Sequence, residues 1–123
     1  MGPTGKFVAV VDDDASVARS TARLLHAAGI AADTFASGDA FLARIHGPAA
    51  YRPSCVILDV CMPGVDGLEV QQQLAGLGLP LIFITAHELP EVRDRALAAG
   101  AVGYLRKPFD ANQLIRLVRS VML

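Results

Sequence analysis

The chain has 123 residues, enough for one domain built on one hydrophobic core. Hydrophobic residues make up 53% and charged residues 19%, too apolar a balance for a disordered chain. The formal net charge of −1 gives no general pull toward nucleic acid or anionic membrane, there is no Lys/Arg run, and no apolar stretch approaches the roughly 20 residues that cross a bilayer.

In chain order, Met1 to Lys6 lack the basic region, apolar segment and cleavage site of a signal peptide, so a cytoplasmic protein is expected. Phe7 to Val11 is a continuous β-prone run, read as a buried strand. Ser16 to Ala28 carries Val17, Leu24, Leu25 and Ala28 on a helical stripe that Gly29 stops. Ala31 to Phe35 is a second strand, and Ser37 can cap a helix running to about Ile45. A polar loop through Pro48 and Pro53 leads into strand three, Cys55 to Leu58, which ends at Asp59. Gly64 and Gly67 punctuate a loop, and Leu68 to Leu77 is read as the next helix, ended by Gly76 and Gly78. Leu81 to Ile84 is strand four, Pro90 to Ala99 helix four closed by Gly100, and Val102 to Leu105 strand five. Asp110 opens the last helix, with Gln113 placed for a capping box. Leu114, Leu117, Val118, Val121 and Met122 then form one apolar face.

Strict β-α alternation with unbroken apolar strands predicts a doubly wound α/β fold: a five-stranded parallel sheet covered by five helices, in the flavodoxin-like order 2-1-3-4-5. Residues 1–123 are read as this single domain. Ligands of such sheets bind beyond the carboxyl ends of the strands, where strand order reverses, here between strands one and three. Those strands end in Asp12, Asp13 and Asp14 and in Asp59. Taken alone, Asp12 and Asp13 are as well explained as loop residues, and Asp14 fits a helix cap; facing Asp59, the first two gain a function. Clustered carboxylates raise one another's pKa unless compensated, and a hard cation such as magnesium suits a few carboxylates, retained waters and a substrate phosphate. Strand four ends in Thr85 and strand five is followed by Lys107 and Pro108. A hydroxyl and an ammonium there can bind phosphoryl oxygens, and phosphoryl transfer needs chiefly positioning and charge neutralisation. Singly, Thr85 is ordinarily structural and Lys107 ordinarily a solvated charge. Cys55 and Cys61 match neither CxxC nor a zinc spacing and are read as reduced structural thiols.

Val10-Val11-Asp12-Asp13, Leu58 to Gly67 (LDVCMPGVDG), Ile84-Thr85-Ala86 and Lys107-Pro108-Phe109 together resemble the receiver domains of two-component response regulators, from about Lys6 to Leu123. Ile82 to His87 and Ala98 to Leu105 are most similar to FixJ-type receivers. The resemblance implies a CheY-like fold, with Asp59 as phosphoacceptor and a sensor histidine kinase as donor. It implies magnesium, with manganese as a substitute, held by Asp12, Asp13 (more directly), Asp59 and the Cys61 backbone carbonyl. Thr85 and Lys107 would contact the phosphoryl group, Thr85 and the ring of Tyr104 would switch, and Lys107-Pro108 would be cis. The activity implied is acceptance and loss of a phosphoryl group, not turnover of a separate substrate. Helix four, strand five and helix five would carry a homodimer or an output contact, and the kinase would dock near helix one. Arg93, Asp94, Arg95 and Arg106 on that surface are otherwise a solvated face. A C-terminal DNA-binding domain, usual after FixJ-type receivers, does not occur in the sequence, which reads as a fragment or a stand-alone receiver that binds neither nucleic acid nor membrane. Cys61 and His87 lie two residues past the acceptor and the switch threonine, near enough to influence hydrolysis; Cys61 is expected to offer only backbone, and His87 to be an ordinary surface imidazole. His26 and His46 receive no role.

Three rivals are weaker. Asp12-Asp13-Asp14-Ala15-Ser16 fits a loose DxDxS pattern like that of haloacid-dehalogenase-class phosphatases, which would make Asp12 the nucleophile and leave Asp59 without its role. A flavin module would need a Ser/Thr/Gly-rich phosphate loop where three carboxylates stand. A receiver-shaped interaction domain that no longer cycles would keep the fold alone.

Overall fold

A computed structural model describes residues 6–87 and 89–122. The ends of the expected domain (residues 1–5 and 123), the reading of Met1 to Gly5 included, lie outside the described residues. The elements alternate as β1 (Val8–Val11), α1 (Ala15–Ala27), β2 (Ala32–Phe35), α2 (Gly38–Ile45), β3 (Cys55–Asp59), α3 (Gly67–Gln73), β4 (Leu81–Thr85), α4 (Pro90–Ala98), β5 (Gly103–Arg106) and α5 (Ala111–Val121). The sheet is parallel in the order β2-β1-β3-β4-β5. The expected fold is therefore the observed one.

Burial follows strand position. Every residue of β1, β3 and β4 is buried, while the edge strands β2 and β5 are only partly so. Successive side chains of a strand point to opposite faces, and the core divides accordingly. Val8, Val10, Ile57, Ile82 and Ile84 pack with Leu25 of α1 and with Leu114 and Val118 of α5. Ala9, Val11, Val56, Leu58 and Phe83 pack on the other face with Phe41 of α2, Val70 of α3 and Leu74 just after it. Both faces are covered, so the remaining place for polar chemistry is the rim.

Two local expectations are corrected. Helix three stops at Gln73, four residues short of Leu77. After Leu74, the last buried apolar residue of this stretch, the backbone tightens into bonds from Ala75 N–H to the Gln72 carbonyl and from Leu77 N–H to the Leu74 carbonyl. The next large apolar residue, Leu77, stays exposed, and Gly76 adopts φ +87°, which a helix cannot contain. The second concerns capping. Asp110 caps α5, but it accepts from the Asn112 N–H at 2.8 Å. The reciprocal box sits instead at α3: Asp66 accepts from the Glu69 N–H at 2.9 Å, and Glu69 accepts from the Asp66 N–H at 3.2 Å. Other boundaries differ from expectation by one residue.

Candidate functional site: an acidic pocket at the sheet edge

Strand register builds the site. Val11 pairs with Leu58, so the residues that follow, Asp12 and Asp59, emerge side by side. Asp59 pairs with Ile84, and Thr85 pairs with Arg106, so Thr85 and Lys107 step along the same rim. The Lys107 N–H donates to the Thr85 carbonyl at 2.7 Å, tying β5 to β4 where both leave the sheet. Asp12, Asp13 and Asp59 each bring a carboxylate oxygen within 4.8 Å of the others.

Asp12 is fully buried, and both of its oxygens are engaged. Oδ1 accepts from the Asp14 N–H at 2.9 Å, and Oδ2 accepts from Lys107 Nζ at 3.0 Å. Lys107 Nζ also lies 3.7 Å from Asp59 Oδ2, so one ammonium bridges two buried carboxylates. Asp13 is exposed at the mouth. Asp14 caps α1 as expected, accepting from the Ser16 and Val17 N–H groups at 2.9 and 3.2 Å. That cap fixes the loop which presents Asp12 and Asp13.

The electrostatics follow from crowding. Burial, then the charge of Asp12, push the Asp59 carboxyl up to about 6; Lys107 pulls it down, Asp13 raises it, and the Cys61 N–H bonded to it lowers it. For Lys107, burial disfavours the charge, but the bond to Asp12 and the charges of Asp59, Asp12 and Asp14 outweigh it and raise its pKa. Three carboxylates and one ammonium leave a negative pocket with oxygen donors, the chemistry that suits a hard divalent cation.

The remaining candidates are placed as follows. Thr85 is buried, and its hydroxyl donates to the His87 carbonyl at 3.0 Å while accepting from the His87 N–H at 3.2 Å. The imidazole of His87 is exposed, so its backbone is what the fold uses. Tyr104 is half-buried with its hydroxyl oxygen shielded from solvent, and its ring centroid lies 6.3 Å from that of Phe83. The ring thus lies inward, toward the β4 side. Cys61 is exposed and Cys55 buried, both as free thiols. Lys107-Pro108 is cis, as expected. Arg93 Nε sits 3.6 Å from an Asp94 oxygen on a solvated face. Reading the sequence missed the structural partners of the site, the His87 backbone and the Asp14 N–H. These contacts come from loop turns, and only the Asx-type spacing of Asp12 and Asp14 signals one of them.

The model of the response regulator receiver domain family matches residues 8–119. Among curated proteins, the response regulator TodT of Pseudomonas putida is 34% identical over 99% of this chain and 53% of its own length. The response regulator MprA of Mycobacterium tuberculosis is 39% identical over 94% of this chain and 50% of its own. Among solved structures, a response regulator receiver protein from Burkholderia phymatum is 59% identical, with a TM-score of 0.85 over 95% of this chain and 94% of that one. FixJ-N is 31% identical, with a TM-score of 0.84 over 95% of this chain and 93% of that one.

The chain belongs to the response regulator receiver domain family, the signal-receiving modules of two-component systems. It is FixJ-like and CheY-like in fold, and it spans about half the length of the curated relatives it matches. No helix among the described residues is long and apolar enough to cross a membrane.

Proposed function

We propose that this domain accepts a phosphoryl group on Asp59 in a magnesium-dependent reaction, with a sensor histidine kinase as donor. The observation that carries the reading is the bridge from Lys107 Nζ to Asp12 and Asp59 within a three-carboxylate pocket. An Asp59 carboxylate oxygen attacks phosphorus, the P–N bond to the donor imidazole breaks, and an acyl phosphate forms. Lys107 offsets charge on the phosphoryl oxygens, and the Thr85 hydroxyl, once it leaves the His87 carbonyl, donates to one of them. Asp12, Asp13, Asp59 and the Cys61 backbone carbonyl are the donors for magnesium, or manganese in its place. The bound ion would supply charge neutralisation at the attacking and phosphoryl oxygens. Hydrolysis of the acyl phosphate would reset the domain, which makes it a signal transducer with no separate substrate.

Signalling needs an element with two states. Thr85 and Tyr104 are the switch residues in this reading, linking the pocket to α4 and β5. That surface would control a homodimer or a transcriptional output domain in the cytoplasm, and the names of the relatives support a response-regulating role. Asp12 as a phosphatase nucleophile fits less well, because both of its oxygens are already held.

The test is incubation with magnesium and acetyl phosphate followed by intact mass measurement. One phosphoryl adduct that requires magnesium and disappears in Asp59→Asn is the expected result. An adduct that survives Asp59→Asn and is lost in Asp12→Asn would make this a phosphatase-like site. Neither an adduct nor beryllofluoride binding would leave only an interaction domain.

A further inference from the structure

The loop that carries Cys61, residues 60–66, leaves Asp59 and returns to α3 beside the pocket. Two glycines outside the carboxylate cluster govern where it lies. Gly67 is buried, and its N–H donates to the Val60 carbonyl at 2.9 Å, closing the loop. A Cβ on Gly67 would stand 2.5 Å from the Asp59 carbonyl oxygen, 2.9 Å from the Val60 Cα and 3.1 Å from the Phe83 ring. The first two neighbours are backbone and cannot rotate away. On the opposite side, the first residue of α2 supports the loop. A Cβ on buried Gly38 would stand 2.8 Å from the Val65 carbonyl oxygen and 2.8 Å from Val70 Cγ2. Asp39, next in α2, covers Gly64, whose Cβ would stand 3.0 Å from its Oδ2.

The loop is therefore pressed between α2 and the end of β3, at distances only hydrogen side chains permit. We propose that Gly67 and Gly38 are positioning residues for the metal pocket: the bare α-carbons set the loop whose Cys61 N–H bonds Asp59 and whose Cys61 carbonyl would be the backbone donor to the ion. The claim rests on the metal reading above. It extends that reading by making α2, which contributes no ligand, part of the wall that fixes a ligand. A carbonyl on a loop has no rotamer of its own, so its place is decided wholly by backbone contacts, and a small shift of the loop displaces it bodily.

The test uses Gly67→Ala and Gly38→Ala, with Gly76→Ala as control. Gly76 has φ +87° and open space around it, so alanine there strains the fold far from the pocket. Mg2+ dissociation constants are measured by calorimetry, and backbone amide resonances are recorded in EDTA. The expected result is a loss of Mg2+ affinity of about tenfold in Gly67→Ala, a smaller loss in Gly38→Ala, and none in Gly76→Ala. The amides of Cys61, Met62, Gly64 and Val65 shift in the first two variants and not in the third. If Gly67→Ala does not fold, Gly38→Ala decides alone. Wild-type affinity and unmoved loop amides in Gly38→Ala would overturn the proposal, as would an equal affinity loss in Gly76→Ala. A wild-type chain that binds no Mg2+ overturns the metal reading, and with it the ligand role of the loop; loop shifts in EDTA would still show whether the two glycines set the backbone.

Discussion

Two side chains outside the pocket show how a single environment sets chemistry. Cys55 lies fully buried in β3, and burial pushes its thiol up to about 12, against a lowering backbone bond from Val56. Cys61, two residues past Asp59, is exposed. Since the thiolate is the reactive form, a disulfide reagent should modify one thiol quickly in the folded protein and the second only on unfolding. Cys61→Ser should abolish the fast phase; a fast phase surviving in that variant would mean that β3 opens readily. Tyr51 gives a pH dependence. Its hydroxyl donates to Asp33 Oδ2 at 2.8 Å, and Arg44 lies 4.4 Å from the ring centroid. Burial, the bond to Asp33 and the Asp33 charge hold the phenol protonated above its usual range, while Arg44 opposes them. A folded pKa above the unfolded one gives stability that is complete below the unfolded value, declines above it, and is gone once pH has risen through the folded value. Tyr51→Phe should therefore cost about 1 kcal/mol at neutral pH, and the gap from wild type should begin to shrink as pH passes about 10. A gap that stays constant in urea titrations across that range would contradict the assignment. Neither pairing was legible in the sequence, because Tyr51 and Asp33 are brought together only by the packing of the 46–54 loop on β2.

At the scale of elements, α3 and α4 depend on a few polar contacts. Helix α3 has only seven residues, too few to be stable alone, so its capping box carries an unusual share. Asp66→Ala should cost about 1 kcal/mol in urea unfolding. A change within error would mean that packing of Val70 and Leu74 suffices. Helix α4 buries only Ala96 along its length, and its N-cap Leu89 provides no side-chain bond. It is joined to α3 by buried Gln71, whose Nε2 donates to the Ala96 carbonyl at 3.0 Å. That carbonyl also accepts from the Ala101 N–H at 3.0 Å, so it stays paired without Gln71. Gln71→Leu should thus cost only about 1 kcal/mol globally, while hydrogen exchange in α4 accelerates more than in the sheet. Uniform acceleration would show that α4 opens only with the whole fold. The sequence made the elements legible because their apolar periods differ: continuous runs in β1, β3 and β4, a stripe in α5. It misplaced the end of α3 because Leu77 continues an apolar pattern although the fold leaves it exposed, and exposure is decided by neighbours distant in the chain.

At the scale of the whole molecule, the pocket works against the fold that makes it. The carboxylates of Asp12, Asp13 and Asp59 gather within 4.8 Å on one rim, and a single ammonium, that of Lys107, bridges the two buried ones. The unfolded chain separates these charges, so the metal-free folded state bears a repulsion that the unfolded state does not. Their convergence was legible in the sequence, since each ends a strand of a sheet whose order alternation implies; the lysine bridge and the engaged oxygens of Asp12 were not, because they depend on side-chain geometry. Removing one charge at the least buried position, Asp13→Asn, should therefore raise the unfolding temperature in EDTA by a few degrees, as expected for about 1 kcal/mol. Magnesium should reverse the ranking. An ion that binds only the folded state stabilises by RT ln(1 + [L]/Kd), so wild type should gain progressively with Mg2+ while Asp13→Asn gains little. The two melting curves should cross as Mg2+ is raised. Thermal unfolding of both proteins across a magnesium series decides this, with calcium as a second cation to separate a geometric preference from simple charge screening. Curves that stay parallel would mean that Asp13 is a solvated loop carboxylate and that the repulsion is already relieved by Lys107.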